Sequence, residues 1–184
     1  MSRRWAVWVV GVALLAVAWG VTKVTPGPEL TEASFVVDAQ IGEEARGAEL
    51  LLTIDDVVFA DRAEDARGWA ADGAWVVADL DMSARTTEEL TSLGTAHLIV
   101  DGKTYRASER PESLLGETLG AGIVTKGSVA FELPSGLDEG PAVLRFAPKA
   151  DDLRLDSVIE LTVELSDLDR ESTRELRPTE GGGV

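Results

Sequence analysis

The chain has 184 residues, no cysteine and a formal net charge of −16, with 33 acidic side chains against 17 basic ones. The lack of cysteine excludes disulfides, thiol catalysis, cysteine metal sites and the lipid anchor that needs a cysteine after its export signal. So negative a surface repels phosphate backbones and anionic lipid or polymer, which argues against nucleic acid as a partner.

At the N-terminus, Ser2-Arg3-Arg4 precedes 17 uncharged, almost wholly apolar residues, Trp5 to Val21. As a helix this run spans ~26 Å at ~1.5 Å per residue, and Thr22 with the Lys23 stem extends it toward the ~30 Å of a hydrocarbon core. Arg3 and Arg4 before the run, against Lys23 after it, keep the N-terminus cytoplasmic and send the bulk of the chain across. Trp5, Trp8 and Trp19 sit near the ends, where indole rings favour the interface. Residues 1–22 are therefore expected to be an uncleaved signal-anchor helix in the cell membrane. The competing reading is a cleaved signal peptide and a secreted product, since Ala16-Val17-Ala18 has the small-x-small form of a cleavage site. Bulky Trp19 after that cut, and no polar helix-breaking segment before it, weigh against cleavage. Either way the remainder is extracytoplasmic.

Residues 23–33, with Pro26, Gly27 and Pro28, read as a short stiff stalk. Residues 34–166 form the globular part, and its roughly 130 residues suffice to bury about two-thirds of their unfolded surface without disulfides. Residues 167–184 mix charges with Pro178 and Gly181-Gly182-Gly183, a composition expected to give a flexible tail with at most a frayed helical turn from Arg170 to Leu176. Residues 23–184 hold all 33 acidic and 15 of the basic side chains, net −18. Solubility of an outward-facing domain is the plainest meaning of that charge; cations or basic partners are the alternative.

The globular part alternates with a period of two. Phe35 to Gln40 is a first strand. Leu50, Leu52 and Ile54 share a face, and Val57 and Phe59 rejoin it only if one residue is inserted at Asp55-Asp56, as in a β-bulge. Ala74 to Met82 reads as a central strand, with Trp75 and Val77 implying burial on both faces. Ala96–Val100 and Thr104–Ala107 flank Asp101-Gly102, a pair suited to a tight hairpin. Val129, Phe131 and Leu133 alternate with Ser128 and Glu132. Ala142, Leu144 and Phe146 alternate with Arg145. Leu155 to Leu165 puts Leu155, Ile159, Leu161, Val163 and Leu165 inward, with Asp156, Glu160, Thr162 and Glu164 outward. Seven or eight such strands predict two antiparallel sheets packed face to face, a closed barrel being the alternative.

Gly47-Ala48-Glu49-Leu50 through Val58, Gly73 through Leu80, Leu98 through Tyr105 and Gly127 through Pro134 occur in an order that resembles a known family. It is the immunoglobulin-like domain of unknown function of exported and lipid-anchored Gram-positive bacterial proteins, related in fold to a secreted mycobacterial immunoprotective antigen. The resemblance covers roughly residues 45–165 and rests on structural residues. It implies an all-β, immunoglobulin-like antiparallel β-sandwich, here preceded by one N-terminal transmembrane helix, and supplies no catalytic or ligand motif. The lipid-anchored members carry a cysteine that this chain lacks, so attachment falls to Trp5–Val21.

Nucleophilic catalysis of the serine–histidine–acid kind needs a general base, and His97 is the only histidine. Ala96, Leu98 and Val100 alternate inward, so His97 is expected on the outer face of its strand, away from any such site. The carboxylates occur in no recognisable glycosidase context. No catalytic or cofactor-binding residue is assigned, and the chain reads as a non-enzyme. Asp61, Asp65 and Asp72, in a loop between the second and third strands, and Asp151, Asp152 and Asp156, before the last strand, offer the oxygen ligands calcium prefers. Neither set has the D-x-D-x-D-G form of a dedicated loop, so solvated carboxylates are favoured over calcium binding and metal ligands stay unassigned. Asp79 and Asp81 read as the polar face of a strand. In the long loop Pro111–Lys126, Leu114, Leu115, Leu119 and Ile123 lie among Gly116, Gly120 and Gly122, followed by Gly127. That loop is expected to cover one end of the core, a partner-binding surface being its alternative. The resulting expectation is a membrane-anchored accessory domain acting by contact with an envelope or membrane protein. The runner-up is a metal-ion or small-molecule binding ectodomain serving a membrane partner.

Overall fold

The computed structural model describes residues 35–86, 91–148 and 157–181, together with Ala13. The rest of the run Trp5–Val21, the stalk, and Asp151, Asp152, Leu155 and Asp156 lie outside the described residues. Among those described, no helix is long and apolar enough to cross a membrane. The chain divides into two units, Met1–Ala33 and Ser34–Val184, and every strand belongs to the second.

The strands, in chain order, are β1 (Phe35–Asp38), β2 (Glu44–Arg46), β3 (Leu50–Glu64), β4 (Ala70–Ala84), β5 (Thr91–Ser92), β6 (Thr95–Val100) and β7 (Lys103–Arg106). They continue with β8 (Thr118–Leu119), β9 (Thr125–Leu133), β10 (Pro141–Ala147), β11 (Ser157–Glu164), β12 (Asp169–Glu171) and β13 (Arg174–Glu175), with one 3-10 turn at Leu165–Asp167. One sheet runs β1-β11-β10-β6-β7 and the other β12-β3-β4-β9, with β2 and β13 also on β3, while β5 and β8 form a small ribbon. Inward residues of both sheets share one core, including Leu52, Ile54, Phe59, Leu80, Leu98, Phe131, Leu144, Phe146 and Leu161. This is a β-sandwich, and the alternation of apolar residues produces it because each sheet has one face to bury.

The expected bulge is present: the β3–β4 register shifts between Ile54 and Asp56, keeping Leu50, Leu52 and Ile54 in the core with Val57 and Phe59. A second shift between Ala60 and Arg62 went unforeseen, and it holds Ala63 on the face of Val58 and Ala60. The Asp101-Gly102 turn has φ of 50° and 73°, the left-handed pair a two-residue hairpin requires. The long loop does cover the core, as Leu114 and Leu119 are buried in it. Gly127 makes room, since a Cβ there would lie 2.8 Å from Leu114 Cγ.

Four expectations need correction. Pairing is not purely antiparallel, because β1 runs parallel to β11 and β12 and β13 run parallel to β3. The loop holding Asp61, Asp65 and Asp72 is mostly strand, so only the turn after Glu64 separates β3 from β4. Ser128, placed on a polar face, is fully buried. Most consequential, the flexible tail is ordered through Gly181, and the region read as a helical turn is extended. Composition gave it too little apolar surface, but the free edge of β3 supplies backbone partners and a row of aspartates supplies counter-charges.

Candidate functional site

The outer face of the β3–β4–β9 sheet gathers the most side-chain chemistry among the described residues. Asp79 and Asp81, two apart on β4, point the same way. Asp56 is the cross-strand partner of Asp79, and the bulge residue Asp55 precedes it. The C-terminal segment crosses this face. It leaves β11 through the 3-10 turn, pairs along β3 from Val58 to Glu64, and ends at the far edge, where Lys126 and Glu180 exchange both backbone hydrogen bonds.

Arg174 donates through Nη2 to Asp79 Oδ2 (2.7 Å) and Asp56 Oδ2 (3.0 Å), and through Nη1 to Glu171 Oε1 (2.9 Å). Arg177 donates through Nη1 to Asp55 Oδ2 (2.8 Å) and Asp81 Oδ1 (3.0 Å). Its backbone N–H donates to Ser128 Oγ, whose hydroxyl donates to Asp79 Oδ1. Lys126 pairs with Asp81. Burial works against the charge of Arg174, yet Asp79, Glu171 and Asp56 outweigh it and raise its pKa. The hydrogen bond from Arg177 to Asp55, against burial and with Asp79 and Asp81, raises that of Arg177. Both stay cationic, and the face binds guanidinium groups.

Beside the charges lies a second small core of Val58, Ala60, Ala63, Trp75, Val77, Ala130 and Leu176, with Trp69 and Ala71 against it. It explains the two-sided burial of β4. Trp69 and Trp75 meet edge to face at 5.5 Å, and the Arg110 guanidinium lies 5.8 Å and 5.4 Å from their ring centres.

Of the residues weighed for metal binding, Asp151, Asp152 and Asp156 lie outside the described residues, and Asp61, Asp65 and Asp72 form no ion-holding group. Among the described residues no group of three or more acidic or histidine side chains could hold an ion. Asp72 pairs with Arg62 at 2.6 Å. Asp65 caps the β3–β4 turn, accepting the N–H of Arg67 (3.0 Å) and Trp69 (2.9 Å) on Oδ1 and that of Glu112 (2.9 Å) on Oδ2. Burial opposes its ionisation, but those N–H groups and the Arg67 charge prevail and lower its pKa. His97 lies on the outer face of its sheet, as expected, between its cross-strand partners Arg106 and Arg145. Burial and those two charges lower its pKa. At one end of the sandwich an open cleft of about 300 Å³ is lined by Phe59, Asp61, Ser135, Asp138 and Arg170, among others.

Sequence reading missed Arg174 and Arg177 as site residues. Their signal was the Arg-x-x-Arg spacing beside an Asp-Asp pair and an Asp-x-Asp pair, but the partners lie 95 to 122 residues away. Among solved structures the chain is similar to an uncharacterised β-sandwich protein from Clostridium difficile 630, at 13% identity and a TM-score of 0.46, over 70% of this chain and 96% of that one. No protein-family model matches the sequence, and no curated protein does.

Proposed function

We propose that the chain is a membrane-tethered, extracytoplasmic, immunoglobulin-like accessory domain that works by protein contact and performs no chemistry. The tether is Trp5–Val21, with Arg3 and Arg4 holding the N-terminus in the cytoplasm. The partner is another membrane or exported protein with basic side chains on the surface it presents. One observation carries this reading: four aspartates on one face hold two guanidinium groups by direct hydrogen bonds. A face of that kind selects arginine, whose planar fork fits carboxylates, and the net charge of −16 steers cationic surfaces toward it. Crosslinking in intact cells tests it. A membrane or exported protein should be captured, with yield falling as salt rises; capture of none, at any salt, would sink the proposal.

The end cleft favours a second reading, a small-molecule binding ectodomain, because Arg170 and Asp138 offer opposite charges beside the Phe59 ring. A rise in melting temperature with a charged small ligand, abolished by Arg170→Ala, would favour it.

A further inference from the structure

We infer that the acidic face is a groove for an extended segment of another protein carrying Arg-x-x-Arg, and that residues 169–177 of this chain are its resident occupant, displaced when that partner docks. The inference rests on the contact reading and names the surface and the chemistry of its partner.

Three observations support exchange over permanent closure. The segment is held mainly by backbone pairing and charge: β12 and β13 take three and two residues of the β3 edge, with Ser172 and Thr173 between them outside the pairing. From Asp169 to Gly181 only Leu176 is buried, so one apolar side chain secures the crossing. The fit is also imperfect, because Arg174 Nε and Thr179 Oγ1 are buried with no hydrogen-bond partner among the described residues. A competing strand makes the same edge bonds and ion pairs, and displacement of the resident segment returns those two atoms to water. Charge complementarity sets its identity. Asp56 with Asp79 takes one guanidinium, and Asp55 with Asp81 takes the next.

A reversible lock tests this in the full chain. Glu64 and Glu175 are neighbours in the β3–β13 register, and the chain has no cysteine of its own, so Glu64→Cys with Glu175→Cys places one disulfide across the segment. The probe is a labelled peptide with the sequence of residues 169–180. The reduced chain should bind it, and oxidation should weaken binding by about tenfold or more, as should replacing Arg174 and Arg177 of the peptide with glutamine. A chain with Arg174→Gln and Arg177→Gln should bind the peptide more tightly than the parent. If that variant does not fold, the cysteine pair still decides. Equal binding in both redox states overturns the inference, and so does no binding by the reduced chain at about millimolar peptide. A chain that ignores the peptide yet is crosslinked to a partner through another face loses the groove and keeps the contact function.

Discussion

Asp56 and Asp79 face each other directly across β3 and β4, and one nitrogen of Arg174 bonds both. Like charges in that position repel, so the strand pair depends on a cation supplied from far along the chain. Arg174→Ala should therefore cost about 2–3 kcal/mol, less than the 3–5 kcal/mol of a fully buried pair because Asp56 is half exposed. Arg174→Ala with Asp79→Asn should recover part of that loss. Urea unfolding of the parent and these two variants measures both.

The β11 register predicts opposite outcomes at adjacent positions. Leu161 sits in the core, so Leu161→Asp buries an unpaired charge and should prevent folding. Glu160 faces outward and pairs with Arg145 at 2.7 Å, so Glu160→Lys should cost about 2–3 kcal/mol and leave the chain folded. Equal shifts in melting temperature would mean that the register is wrong.

Acid stability should depend on Asp65. Its folded pKa lies below the ordinary 3.8, so its contribution is fully present above that value and is lost as pH falls through the lower folded value. Asp65→Asn should lower stability at neutral pH by about 1–2 kcal/mol through weaker acceptance of three backbone N–H groups. It should also flatten the fall in melting temperature below pH 4.

His97 acts over a different window. Its folded pKa is depressed below 6.5, so the unfolded chain takes up a proton first. Stability is unaffected above about pH 6.5 and declines as pH drops through the folded value. In His97→Gln the melting temperature should stay level over that interval where the parent's falls.

The inward residues of β3, β6, β9, β10 and β11 were legible because a half-buried strand writes its burial with a period of two. Even the Asp55 bulge appeared, as a parity change between Ile54 and Val57. The second bulge was hidden, because the small Ala60 and Ala63 leave a weak apolar signature. Ser128 was misplaced for a related reason: a hydroxyl reads as exposed until its partners, Asp79 and the Arg177 backbone, are known. The acidic half of the candidate site lay open as Asp55-Asp56 and Asp79-x-Asp81. Its basic half did not, because residues 169–181 are ordered by partners on β3, β4 and β9 and carry little local propensity of their own.

Hydrogen exchange of the Leu176 and Glu180 amides tests the closed acidic face most directly. Leu176 donates to Glu64 O and Glu180 to Lys126 O, at opposite edges of the sheet. At low salt both amides should exchange about 100-fold or more slowly than in an unstructured peptide, and both should speed up as salt weakens the arginine pairs, while those of Val77 and Phe131 stay protected. Exchange of Leu176 and Glu180 at the unstructured rate, with the core amides still protected, would contradict the account.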